Sequence, residues 1–317
     1  MMMQSPELKD ILEAAERIRE AAHVTPVLES SHLNRETGAK LFFKCENFQK
    51  VGAFKFRGAM NAISKLAKEE GRKGIITHSS GNHAQAVALA SSMNGYSATI
   101  VMPENAPKVK VDAVRGYGAE IVFCEPTIEA RQETADRLIE KTGGTFIHPY
   151  NHPDVIAGQG TCVLELLNQV PDMDIVMAPV GGGGLISGSC VAIKSISPEI
   201  KVIGGEPELA DDAYRSLKEG SIQPVLRTDT VADGLRTSLG SLTFQIIQKH
   251  LDDLILVSEY SIVQNMRRVW ERMKIIIEPS CAVPLAAVMN RKEAFRGKRV
   301  GIILTGGNVD LDHLPWN

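Results

Sequence analysis

No apolar run in this sequence approaches the roughly 18 residues that a bilayer-spanning helix needs. Its first twenty residues are polar, so neither a membrane span nor secretion is expected. Charge of one sign is also lacking. Thirty-five Lys and Arg against 38 Asp and Glu leave a net charge of −3, which gives no basic footprint for nucleic acid. Five cysteines (Cys45, Cys124, Cys162, Cys190, Cys281) are scattered with no Cys-x-x-Cys pair. That spacing argues against a cysteine metal site and for free thiols in a reducing, cytoplasmic setting. Repeats and low-complexity tracts are missing. Aromatic residues make up only 5% of the chain, so two phenylalanines flanking one lysine stand out.

What is present is alternation. At 317 residues and 44% hydrophobic, the chain can bury one large core or two medium ones. Ser5-Pro6-Glu7 predicts a helix start, capped by the serine, running to about Ala22. From Gly74 to about residue 150, short apolar strands alternate with amphipathic helices, ending with Thr145-Phe146-Ile147. The alternation restarts with a helix at 158–169, a buried strand at 174–180, a helix at 184–196 and a final strand at 299–304. Right-handed crossovers make such sheets mostly parallel, with helices on both faces. The expected fold is therefore α/β, in two domains. Residues 1–73 and 151–317 form the larger, and 74–150 a small mobile domain inserted into it. Sites in such sheets lie beyond the carboxyl ends of the strands.

Four stretches at such ends carry chemistry. Lys55 lies between Phe54 and Phe56 where a helix begins. A lysine there either snorkels its head to water or loses hydration and becomes a nucleophilic amine suited to an aldehyde cofactor. Gly181-Gly182-Gly183-Gly184 joins a buried strand to a helix. It is either a flexible turn or a cradle of backbone N–H groups for a phosphate. It is not a dinucleotide fingerprint or a Walker loop. Thr77 to His83 crowds two histidines and two serines into one strand-to-helix turn, more than capping needs. Glu206 to Asp212 places four carboxylates in seven residues, either a solvated helix start or hard-oxygen ligands for Mg²⁺, Mn²⁺ or Ca²⁺. Thr305-Gly306-Gly307 ends the last strand.

Taken together, Phe54-Lys55-Phe56-Arg57-Gly58, Ser79-Ser80-Gly81-Asn82-His83, Ala157-Gly158-Gln159-Gly160-Thr161, the glycine loop, Ala232-Asp233-Gly234, Glu271-Arg272-Met273-Lys274 and the run from Thr305 to Asp310 resemble one family. It is the serine racemase and serine/threonine dehydratase family of fold-type II pyridoxal-phosphate enzymes. The resemblance covers nearly the whole chain. It implies that Lys55 anchors pyridoxal 5′-phosphate, that Phe54 flanks its ring and that Asn82 bonds its 3-oxygen. It places the phosphate on Gly181 to Gly184 and the ring nitrogen opposite Thr305. Ser80 would stand on the face opposite Lys55. Ser79, Ser80, Gly81, Asn82, His83 and Arg131 would receive substrate. A divalent cation would sit on Glu206, Asp212 and the Ala210 carbonyl. An activating ATP would touch Ser30, Ser31, Lys50, Gln85, Tyr117 and Asn308, although Val51 departs from the hydroxyl residue common there. The C-terminal regulatory domain of biosynthetic threonine dehydratases is not expected, and a homodimer is.

The resemblance implies a serine racemase that also dehydrates L-serine, and L-threonine or 3-hydroxyaspartate, to keto acid and ammonia. The two activities would share one α-carbanion. Two alternatives stand beside it. One is a dedicated threonine/serine ammonia-lyase. The other is a non-catalytic nucleotide- or metal-binding regulator.

Overall fold

The structure, a computed structural model, describes residues 4–106 and 108–316. Among these, strands β1 (Val27–Leu28) and β2 (Lys40–Cys45) come first. A block of β3 (Ile75–His78), β4 (Ala98–Pro103), β5 (Glu120–Cys124) and β6 (Thr145–Phe146) follows. Then come β7 (Ile175–Pro179), β8 (Lys201–Pro207), β9 (Asp253–Val257) and β10 (Arg299–Leu304). They form two sheets, ordered β1-β2-β10-β7-β8-β9 and β5-β4-β3-β6. Every pairing is parallel except β1 with β2. β7 is buried along its whole length, as a strand covered on both faces must be.

The helices are α1 (Leu8–Ile18), α2 (Ser31–Thr37), α3 (Lys55–Ser64), α4 (Lys68–Arg72), α5 (Asn82–Met93), α6 (Lys108–Gly116) and α7 (Ile128–Thr142). The second half adds α8 (Pro153–Gln169), α9 (Gly184–Ile196), α10 (Asp212–Glu219), α11 (Ser241–His250), α12 (Glu259–Met273), α13 (Pro279–Asn290) and α14 (Lys292–Phe295). The first helix differs from the sequence expectation. Glu7, not Ser5, is its cap, with Asp10 Oδ2 accepting the Glu7 N–H at 2.8 Å, and it ends at Ile18. Helix α8 begins five residues before the expected Gly158, capped by the His152 ring, which accepts from the Asp154 N–H at 3.2 Å.

Helix α3, which carries Lys55, is seated from two sides. One face packs Phe56, Ala59 and Ile63 into a core shared with Ile75 of β3 and with Ala84 and Val87 of α5. The other face lies against α8 at backbone contact. A Cβ on Gly158 would stand 2.6 Å from the Arg57 carbonyl oxygen and 2.7 Å from the Gly58 Cα. Only glycine permits that approach.

Beneath α3 lies a buried group of four charges. Arg57 donates through Nε to Glu46 Oε2 at 2.7 Å, and its two Nη atoms reach Glu165 at 2.7 and 2.8 Å. Lys44 donates to Glu165 at 2.7 Å, to the Thr25 carbonyl at 2.8 Å and to Gln169 at 2.8 Å. Thr25 Oγ1 donates to Glu46 at 2.6 Å. The fork of one arginine, two residues after Lys55, thus ties α3 to α8 and to the turn that follows β2.

Candidate active site

The chain leaves β2 through two short 3₁₀ turns before α3 begins at Lys55. Val51 and Gly52 are consecutively left-handed there, at φ 56° and 66°. The Lys55 Nζ donates to the Pro149 carbonyl at 2.9 Å and lies 5.2 Å from the Phe54 ring centre. Burial pushes its ammonium down to about 8, against the opposing pull of the Glu278 carboxylate. Around it the imidazoles are neutral. Burial holds His83 well below its usual value, and burial with His78 beside it pushes His148 down to about 3. A neutral amine is what nucleophilic attack on an aldehyde requires.

The other stretches converge at the strand ends. Phe54 N–H donates to the Thr305 carbonyl at 3.0 Å, which joins the end of β10 to the residue before Lys55. Thr305 is buried, with its Oγ1 3.2 Å from Cys281 Sγ. Asn82 opens α5, and its Nδ2 lies 2.9 and 3.1 Å from the two Glu278 oxygens. Asn308 Nδ2 donates to Asn82 Oδ1 at 2.8 Å. Ser79 and Ser80 sit half-buried in the turn before Asn82, where Ser79 Oγ accepts from the Gly81 N–H at 3.3 Å. His83 Nε2 is 3.1 Å from the Ile147 carbonyl oxygen, while its Nδ1 is buried without a partner.

Between β7 and α9, Gly183 is the left-handed cap of α9 at φ 86°. Tyr150 lies on this loop. A Cβ on Gly182 would fall 2.3 to 2.4 Å from the Tyr150 ring, and one on Gly184 would fall 3.0 Å from the Tyr150 Cβ. The free N–H groups opening α9 are thus walled by an aromatic ring, a shape suited to an anionic tail.

Glu206 and Asp212 are both buried. The Glu206 oxygens accept from the Ala213 and Tyr214 N–H groups at 2.8 and 2.9 Å. Asp212 Oδ2 is buried with no partner. Burial and then the facing Asp212 push Glu206 well up, and burial pushes Asp212 up to about 7. Arg131 lies on α7 beside His78, which its neighbour Gln132 contacts at 3.2 Å. The six nucleotide candidates are spread over several elements. Ser30 caps α2 from its accepting Oγ, and Ser31 is exposed beside it. Lys50 lies 5.8 Å from the Phe56 ring centre, Gln85 is buried in α5 and Tyr117 follows α6. Asn308 joins this set to Asn82.

Several residues of the site escaped the sequence reading. Tyr150 had one signal, its place in the loop 148–153. Glu278 had another: it precedes Pro279 at the start of α13, yet its carboxyl does not cap that helix.

A half-buried lysine amine, beside an aromatic-walled anion cradle at the strand ends of an α/β fold, defines an enzyme that anchors a phosphorylated aldehyde. The chain belongs to the pyridoxal-phosphate dependent enzymes, a family that matches residues 18–306. It is 51% identical over 315 residues to the beta-hydroxyaspartate dehydratase of Paracoccus denitrificans, covering 99% of this chain and all of that one. It is 49% identical over 307 residues to the L-threo-3-hydroxyaspartate ammonia-lyase of Saccharomyces cerevisiae, covering 96% of this chain and 94% of the relative. Among solved structures it is similar to serine racemase from Dictyostelium discoideum. The TM-score is 0.93 at 52% identity, over 97% of this chain and all of that one. No helix among the described residues is long and apolar enough to cross a membrane.

The residues present fit the family's cofactor. Lys55 could hold its aldehyde carbon, the α9 N-terminus its phosphate, the Asn82 N–H edge its ring oxygen and the Thr305 hydroxyl its ring nitrogen.

Proposed function

We propose that this protein is a pyridoxal-phosphate serine racemase and ammonia-lyase acting on L-serine and on L-threonine or 3-hydroxyaspartate. One observation carries the reading: the Lys55 amine is held 2.9 Å from the Pro149 carbonyl where burial pushes it down to about 8, so that it can work as a base near neutral pH. Bound pyridoxal phosphate supplies the electron sink that acidifies the substrate's α-C–H. Lys55 takes that proton. The Ser79–His83 turn offers hydroxyls and N–H groups to the substrate carboxylate, with Arg131 nearby. If Ser80 returns a proton from the opposite face, the D-isomer forms. If the β-hydroxyl leaves instead, hydrolysis yields keto acid and ammonia. Thr305, a neutral hydroxyl, does not keep the ring nitrogen protonated, which tempers the sink and favours these two fates over transamination.

The two relatives named as a dehydratase and an ammonia-lyase favour a second reading, a dedicated ammonia-lyase with little racemisation. Chiral analysis of residual serine together with keto acid separates the two. In Ser80→Ala, D-serine formation is expected to vanish while keto acid from L-serine partly survives. Equal loss of both would count against Ser80 as the second-face acid.

A divalent cation, Mg²⁺, Mn²⁺ or Ca²⁺, held by Glu206, Asp212 and the Ala210 carbonyl, belongs to the same proposal. Its support is the unpartnered Asp212 Oδ2 and the two carboxylates burial pushes up. Cation at a hundred times its Kd is expected to stabilise the fold by about 2.7 kcal/mol. The resulting rise in melting temperature should disappear in Asp212→Asn. A nucleotide activator, a homodimer, a mobile small domain at 74–150 and a cytoplasmic location complete the reading. All five cysteines are buried and unpaired, as a reducing compartment would leave them.

A further inference from the structure

The side-chain amide of Asn82 is gripped on both edges. Its Oδ1 accepts from Asn308 Nδ2 at 2.8 Å, and the same nitrogen donates to the Val51 carbonyl at 2.8 Å. Its Nδ2 faces both oxygens of Glu278. Glu278 is 5% exposed and does not cap its own helix; it reaches across the fold instead. Gly306 leaves the room for this. A Cβ there would stand 2.8 Å from Glu278 Oε1 and 3.1 Å from Asn82 Nδ2. The far end of the chain is strained. Val51 is β-branched, yet it sits at φ 56°, a conformation that costs on the order of 1–3 kcal/mol. A buried carboxyl and a strained backbone, both directed at one amide, are more than packing asks for.

We propose that Glu278 is a positioning residue of this site: with Asn308 and the Val51 carbonyl it fixes the Asn82 amide so that its N–H edge, never its oxygen, faces the cofactor's ring oxygen. The inference rests on the functional reading that Asn82 faces that oxygen. A ring oxygen that carries negative charge needs a donor there, and a flipped amide would present a second acceptor. Glu278 also acts on the Lys55 amine, whose proton its charge favours.

The groups facing Glu278 come from four directions. Asp233 and Lys110 form an ion pair at 2.5 Å, Asn82 opens α5, the Asn308 backbone N–H lies near, and Lys55 and the Cys281 thiol complete the set. Burial, then Asp233, raises the Glu278 carboxyl to about 7. It is therefore charged above that pH, where it disfavours loss of the Lys55 proton. Removing the charge should let Lys55 deprotonate at lower pH.

The test compares the full chain with Glu278→Gln and Asn308→Ala, each checked for folding by its melting curve. Pyridoxal phosphate uptake by cofactor-free protein is followed by absorbance across pH, and kcat and KM for L-serine are measured. In Glu278→Gln the uptake midpoint should move to lower pH by about half a unit to one unit. Its kcat should fall about ten- to a hundredfold, as is typical when an outer hydrogen-bond partner is lost, with KM little changed. Asn308→Ala keeps the charge, so it should lose kcat without moving the midpoint. A folded Glu278→Gln with the wild-type midpoint and kcat would overturn the inference. So would a folded Asn308→Ala with wild-type kcat, should the glutamine variant fail to fold. If the wild type itself never takes up the cofactor, the functional reading falls, and this inference with it.

Discussion

Lys55→Ala is expected to abolish D-isomer and keto-acid formation together, by at least about a thousandfold. The same amine anchors the cofactor and takes the α-proton, so no product survives its loss. The fold should survive. Apart from its contact with the Phe54 ring, the amine makes one hydrogen bond, to the Pro149 carbonyl, and its burial opposes its charge. Truncation therefore removes a poorly solvated group and leaves a single carbonyl to pair with water. Lys55→Arg should be equally inactive, because a guanidinium is never deprotonated at working pH. Residual turnover in either variant, measured as ammonia release, would mean that a different group does the chemistry.

Arg57→Met is expected to cost the fold about 3–5 kcal/mol, read as a lower urea midpoint. This loss arises below the site. Glu46 is fully buried, and burial alone would raise its carboxyl; the Arg57 charge and hydrogen bonds hold it below the ordinary range. With Met at position 57, Glu46 keeps its burial and loses its main counter-charge, and Glu165 keeps only Lys44. Uncompensated buried charge is costly because the interior solvates it poorly. Adding Glu46→Gln to Arg57→Met should restore part of the loss, since the charge left without a partner is then gone. The sign with pH follows from the lowered Glu46. Its contribution is present above the ordinary carboxylate range and lost as acid protonates it below its folded value. An Arg57→Met protein as stable as wild type would remove this group of charges from the account.

How much of this was legible in the chain depended on the range of the forces involved. Helices α5 and α9 and strand β10 lie where periodicity and flanking loops placed them, because their ends are set by local chemistry: a polar turn, a run of glycines, a fully apolar strand. Helix α8 was read too short. It opens at Pro153 behind the His152 cap, five residues before the expected start, while Gly158 and Gly160 inside it allow close contact with other helices, Gly158 with α3 and Gly160 with α1 and α9. Helix α11 has no counterpart in the sequence reading, and α10 enters it only as the helix-start alternative at Glu206 to Asp212. Asp212, the first residue of α10, fits both that helix start and a ligand role, and the sequence alone does not separate the two. Lys55, the glycines and the Ser79–His83 turn were visible because each sits on its own strand end. Glu278 was not, since its partner Asn82 lies 196 residues away and nothing local marks the meeting. Tyr150 was hidden for the same reason. Its role comes from lying against Gly182, a contact only the folded loop creates.

The central claim is that one lysine amine, pushed down by burial to about 8, carries the cofactor. Treating the protein with pyridoxal phosphate across a pH series, trapping with borohydride and mapping the labelled peptide by mass tests it most directly. The label should fall on Lys55 alone, with yield rising through a midpoint near pH 8. Labelling spread over exposed lysines such as Lys9 and Lys40, with a midpoint near that of free lysine, would contradict it.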